Sequence, residues 1–258
     1  MPEKKSIDVL VIIFRICSGV LIIIPLILSF FIFASKNYDI DRMFQIWFAY
    51  LSYIIMGLQI VSGTHFFVFQ RAFGARILMK LHMWATPVML LTALLHMILM
   101  AFASSCAGNY GRCIVNVIID GNPYQILARI GVLILIVSTI VSLLRLCCVK
   151  KMPLIVWRIF HYLFYVAFYF VTFHIFSNGI KVITVAKGHE GAADKMDNNI
   201  FKAVHLVLPI YLLILTTVAV IIRIITQIIR ILNQKKKKQE LQNRNQYQSN
   251  ENQLIEPA

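Results

Sequence analysis

The chain has 258 residues, 59% of them hydrophobic and 14% charged, with a mean hydropathy of +0.77. Several apolar runs exceed the roughly 18 residues that mark a membrane-spanning helix, which excludes a water-soluble domain. The formal net charge of +14 does not signal a nucleic-acid partner, because the basic residues gather at alternate loops, where membrane topology places them.

In chain order, the first predicted span covers Asp8 to Ala34, behind the basic leader MPEKKS. No small-residue cleavage site follows its apolar core, so it reads as a retained signal anchor. Arg15 is expected to snorkel to the interface and Pro25 to bend the helix. A polar turn, SKNYDIDR, leads into the second span, Phe44 to Gly63, with Arg42 as an anchor at its mouth. The loop GTHFFVFQRAFGAR follows, its His65 expected to be interfacial without a ligand role.

The third span, Ile77 to Ala103, carries His82 and His96, with Pro87 freeing the carbonyl of Met83 between them. Next comes the loop SSCAGNYGRCIVNVIIDGNPYQ, where Cys106 and Cys113 are spaced for a disulfide that spacing alone does not establish. Cys17, Cys147 and Cys148 fall in or beside the membrane on the reducing side, as packing residues or, for the last two, acylation sites. The fourth span covers Gln125 to Cys148, and the fifth, Leu154 to Phe176, holds His161 and His174. The loop after it contains His189 and Glu190, too few ligands for a metal site. His205 opens the sixth span, Ala203 to Leu232, where it is expected to shape an entrance at the outer face.

These readings predict an all-α integral membrane protein, a six-transmembrane-helix bundle, since a lipid-exposed strand would leave backbone polar groups unpaired. Residues 1–7 form a leader, 8–232 the transmembrane domain, and 233–258 a basic, polar, disordered tail whose lysines lie near anionic lipid. The positive-inside rule puts both termini in the cytoplasm. A plasma membrane or bacterial inner membrane is the expected location.

The chemistry concentrates in four histidines. Ionisable groups within spans are costly and tend to mark function, and neutral imidazole is a standard axial ligand of haem iron. Fourteen residues place His82 and His96 roughly 21 Å apart along a helix and only about 40° apart around it. The third and fifth spans run in the same direction, so His82 can face His161 at the inner level and His96 can face His174 at the outer one. Two stacked b-type haems are the expected cofactors, each held by one pair. Thirteen residues, however, leave His174 about 140° around the axis from His161. Arg71, Arg76 and Lys80 at the inner end and Arg42 at the outer mouth are candidate propionate partners that topology alone would also place there.

The stretches FGARILMKLHMWATPVMLLTALLH and WRIFHYLFYVAFYFVTFH resemble the ferric reductase-like transmembrane domain shared by ferric reductases, NADPH oxidases and the haem-binding membrane subunit of bacterial methionine sulfoxide repair. The likeness covers roughly Phe73 to Phe176 closely, and the six-span layout extends it to about Leu232. In that family one ligand pair is fourteen residues apart and the other thirteen, as here. The resemblance implies that His82 and His161 hold the inner haem and His96 and His174 the outer one. Where the family often has a basic residue after the first histidine, this chain has Met83. Six-span metalloreductases with one membrane haem match less well, because both pairs are present.

Relatives of this kind usually carry a cytoplasmic flavin and NADPH domain after the sixth span. The tail here is too short for one, and no glycine-rich dinucleotide fingerprint appears, so no FAD or NADPH site is expected in this chain. The expected partners are a cytoplasmic flavoprotein reductase or quinol as donor, and ferric iron, a redox protein or oxygen as outer acceptor. Two rival readings stand beside this one. A quinol-dependent cytochrome b would space both pairs fourteen apart and show glycine-rich helix faces. A non-redox transporter or assembly subunit would bind no haem.

Overall fold

A computed structural model describes residues 9–31, 40–64, 67–103, 123–147, 153–186 and 194–255. Within them the chain forms seven helices and no strand: α1 (Val9–Phe30), α2 (Ile40–Gly63), α3 (Phe67–Phe73), α4 (Ala75–Ala103), α5 (Pro123–Cys147), α6 (Leu154–Ala186) and α7 (Asp194–Ile255). All but α3 are long and apolar enough to cross a membrane, so the protein is an all-α six-helix membrane bundle. Cys106, Cys113, Cys148, His65, His189 and Glu190 lie outside the described residues, as do the side chains of Arg42 and Cys147.

The bundle is built around α2. Half of its spanning window is buried, against 11% for α1 and α4, whose apolar side chains mostly face outward. Tyr53, Ile54, Met56 and Val61 are fully enclosed, and the Tyr53 ring stacks on Phe168 of α6 at 5.1 Å and 7°. Close approach of helices in lipid relies on small residues at the contact. Gly57 of α2 is such a contact, for a Cβ there would come within 3.3 Å of Leu212 on α7, and Gly131 on α5 would come within 3.2 Å of the Ala167 carbonyl on α6. The hydroxyls of Thr172 and Thr216 donate to carbonyls four residues back, which satisfies them inside their own helices.

Helix α3 lies in what hydropathy reads as a loop. Gly74 ends it at φ 76°, donating its N–H to the Gln70 carbonyl, while its own carbonyl receives the Leu78 N–H of α4. A left-handed glycine at this joint closes one helix and opens the next without a Cβ penalty. The exposed Arg15 side chain of α1 donates to the Ala72 carbonyl at 3.2 Å, capping the last turn of α3. Arg71 covers the Phe14 ring at 5.6 Å.

Two element ends differ from the sequence expectation. Helix α6 continues to Ala186, and α7 begins at Asp194 and runs past Leu232 to Ile255, where a disordered tail is expected. No glycine or proline interrupts 210–256, and Lys, Gln, Glu and Leu are good helix formers, so nothing in the local chemistry stops the helix at the end of the apolar run.

Candidate functional site

Six crossings alternate in direction, so the C-terminal ends of α2, α5 and α7 meet the N-terminal ends of α1, α4 and α6 at one end of the bundle. This basic end carries Arg15, Arg71, Arg145 and Arg223, and it is where His82 and His161 converge. Their ring centroids are 5.9 Å apart with planes at 59°.

The last turns of α2 hold the His82 ring. Its Nδ1 lies 3.2 Å from the Ser62 hydroxyl, which itself donates to the Gln59 carbonyl at 3.0 Å. With the hydroxyl proton committed there, the serine oxygen accepts and His82 Nδ1 donates, a tautomer assigned from the network. Nε2 is then the lone-pair nitrogen. The Gln59 amide also reaches the His82 carbonyl at 3.3 Å and the Thr86 hydroxyl at 2.8 Å. Gly63 makes room for the ring, since a Cβ there would sit 3.2 Å from His82 Cε1 and 4.0 Å from His161 Nε2.

His161 is backed from its own helix. Trp157, one turn earlier, stacks on it at 4.8 Å and 21°, and the Arg145 guanidinium of α5 lies 4.4 Å above the Trp157 ring. Arg145, Trp157, His161 and His82 thus follow one another as cation, indole and two imidazoles. Arg223 reaches the same end from α7, with its Nη1 3.5 Å from the Thr64 carbonyl.

At the opposite end His96 Nδ1 is 2.9 Å from the Gln45 carbonyl. A carbonyl only accepts, so this imidazole also donates from Nδ1 and keeps its lone pair on Nε2. His174 is half-buried on α6, two residues beyond Thr172, whose hydroxyl pairs with Tyr53 at 2.9 Å. Because α6 is unbroken from Leu154 to Ala186, His174 lies roughly 140° around the axis from His161. That is the side on which Ala167 and Phe170 meet Gly131 of α5. The structure therefore brings the inner pair to 5.9 Å with tilted rings and fixes His96, while His174 lies off the α6 face that His161 uses.

His205 does not line an entrance. It is 7% exposed, enclosed in the bundle and hydrogen-bonded through Nδ1 to the Tyr50 hydroxyl of α2. Among the described residues no three His, Cys, Asp or Glu side chains converge as a protein-only metal site.

The sequence reading overlooked the residues that orient the imidazoles. Ser52, Gln59 and Ser62 of α2 bond to α4 through their side chains, Ser52 to the Met89 carbonyl at 3.2 Å, Gln59 to Thr86 and Ser62 to His82, while Gln45, seven residues before Ser52, bonds His96 through its backbone carbonyl. That spacing on an otherwise apolar span is a signal available from sequence alone. No protein-family model matches this chain, nor does any curated protein or solved structure compared with it.

Proposed function

We propose that this protein is a di-haem b-type membrane cytochrome that passes electrons across the membrane from a cytoplasmic reductase or quinol to an acceptor on the outer side. The observation that carries this reading is the inner histidine pair. Two imidazoles sharing one metal ion at about 2 Å per bond hold their ring centroids roughly 6 Å apart, and His82 and His161 stand at 5.9 Å. Metal-binding histidines ordinarily give their second ring N–H to a hydroxyl, carbonyl or carboxylate. Ser62 and Gln45 supply those acceptors to His82 and His96, and Gly63 leaves open a space that a Cβ would fill.

On this reading His82 and His161 would hold the inner haem, and His96 and His174 the outer one. Bound haem supplies the one-electron chemistry, as cofactors generally do. The chain's own residues set the ligation: Ser62 and Gln45 fix the tautomers, Trp157 fixes the plane of His161, and the lipid-facing helices keep water from the sites. Ligation at the outer level requires the His174 side chain to turn away from the α5 side of its helix. A flavoprotein or quinol donor fits the basic end, where the positive-inside rule puts the cytoplasm. Ferric iron, a redox protein or oxygen are the acceptors considered, in a plasma membrane or bacterial inner membrane.

The test is a reduced-minus-oxidised absorption spectrum of protein purified from haem-replete cells, with haem counted per chain. Two low-spin b haems are expected. A folded chain that binds none would overturn the reading in favour of a non-redox transporter or assembly subunit.

A further inference from the structure

Resting on the reading above, we infer that Arg145 is an anion-binding residue for a carboxylate of the ligand held by His82 and His161, a propionate of the inner haem.

The first ground is charge. Between Asp41 and Asp194 the chain has two acidic residues, Asp120 and Glu190, and both lie outside the described residues. Helices α4, α5 and α6 contain no Asp or Glu, so Arg145 has no carboxylate within these three helices to pair with. Arg223 is directed at the Thr64 carbonyl, Arg15 at Ala72 and Arg71 at the Phe14 ring. Arg145 differs from all three: its Nη1 is buried and has no hydrogen-bond partner among the described residues. Arg145 as a residue is only partly buried, but a buried guanidinium N–H without a partner costs free energy, and a bound anion would satisfy it.

The second ground is geometry. The guanidinium carbon lies 4.4 Å over the Trp157 ring, and Trp157 stacks on His161. A cation–π contact leaves the guanidinium N–H groups available to a planar carboxylate. Arg71, Arg76 and Lys80, the residues that sequence position suggests for this role, are all exposed.

The experiment compares the full chain with Arg145→Gln, Arg145→Lys and the control Arg158→Gln, an exposed arginine at the same end. All are placed in phosphatidylcholine nanodiscs and loaded with haem or with its dimethyl ester, in which both carboxylates are masked. Inner-haem retention and midpoint potential are read for each. In Arg145→Gln, haem loss is expected to quicken roughly 10- to 100-fold, the worth of a charged hydrogen bond, and the potential to fall, with Arg145→Lys intermediate and Arg158→Gln unchanged. With the ester, parent and Arg145→Gln should behave alike. The ester arm on the parent needs no substitution, so a variant that fails to fold does not remove the test: unchanged retention of the ester by the parent overturns the assignment. So does an Arg145→Gln protein that keeps its inner haem, or one that loses the ester faster than the parent does, which would mark a structural role independent of the carboxylate. A parent that binds no haem overturns the parent reading as well, and so is told apart from failure of the arginine assignment alone.

Discussion

The two ends of the bundle present the same residue type in different settings. At the basic end, His82 and His161 come from α4 and α6, face each other at 5.9 Å, and are enclosed by Ser62, Gly63, Trp157 and Arg145. At the opposite end, His96 is anchored to the Gln45 carbonyl, while His174 leaves α6 on the side turned toward α5. A fourteen-residue spacing on α4 returns nearly to the same face, and a thirteen-residue spacing on α6 does not. Equal depth in the membrane is therefore not equal proximity: the packing brings the inner pair together, and ligation at the outer level, as proposed, would require a side chain to reorient.

Ligand removal should expose that difference most. His82→Ala and His161→Ala are each expected to abolish the inner b-haem signal and halve the haem bound per chain, measured by pyridine haemochrome assay. His174→Ala is expected to remove the outer signal only, and an outer signal that survives it would break the symmetry between the ends by showing that His96 has a different partner. Gly63→Val comes next. Even the first carbon of a side chain there would sit 3.2 Å from His82 Cε1, so the ring must yield. Loss of most of the inner haem with the outer one retained is expected, and uniform loss of both would mean general misfolding.

Ser62→Ala is a milder probe of the same cradle. Losing an outer-shell acceptor typically costs 10- to 100-fold in metal affinity, so inner-haem retention should fall by about that factor, with Ser62→Thr restoring it. An unchanged inner haem would mean that the His82 tautomer is set without the serine. Smallest at the sites is Tyr50→Phe, which deletes the hydroxyl bonded to His205 far from the basic end. Leaving a buried imidazole nitrogen unsatisfied costs about 1–3 kcal/mol, seen as a lower thermal midpoint in detergent with both haem spectra unaltered. A shifted outer spectrum would tie this pair to the outer site.

Much of the architecture could be read directly from the residues. Apolar runs marked all six spans, because burial of backbone polar groups in lipid permits few alternatives. The depths of the four histidines followed from their spacing and from the alternation of the spans. Boundaries were less legible: α3 is too short and too polar at Gln70 and Arg71 to register in a hydropathy window, and α7 outruns its apolar segment because helix propensity does not end where hydrophobicity does. His205 was misplaced for a related reason, since its position near a span end does not reveal that Tyr50 of another helix closes over it.

Sequence alone determined a membrane bundle with imidazoles at two levels, because hydropathy and helical period are local properties of the chain. Only the tertiary structure decided that α2 is the scaffold for both α4 histidines, that His161 and His82 meet while His174 turns aside, and that Arg145 stands behind Trp157. Those outcomes depend on the rotation of each helix about its axis and on which small residue lets two helices approach. Both are settled by packing among segments far apart in sequence.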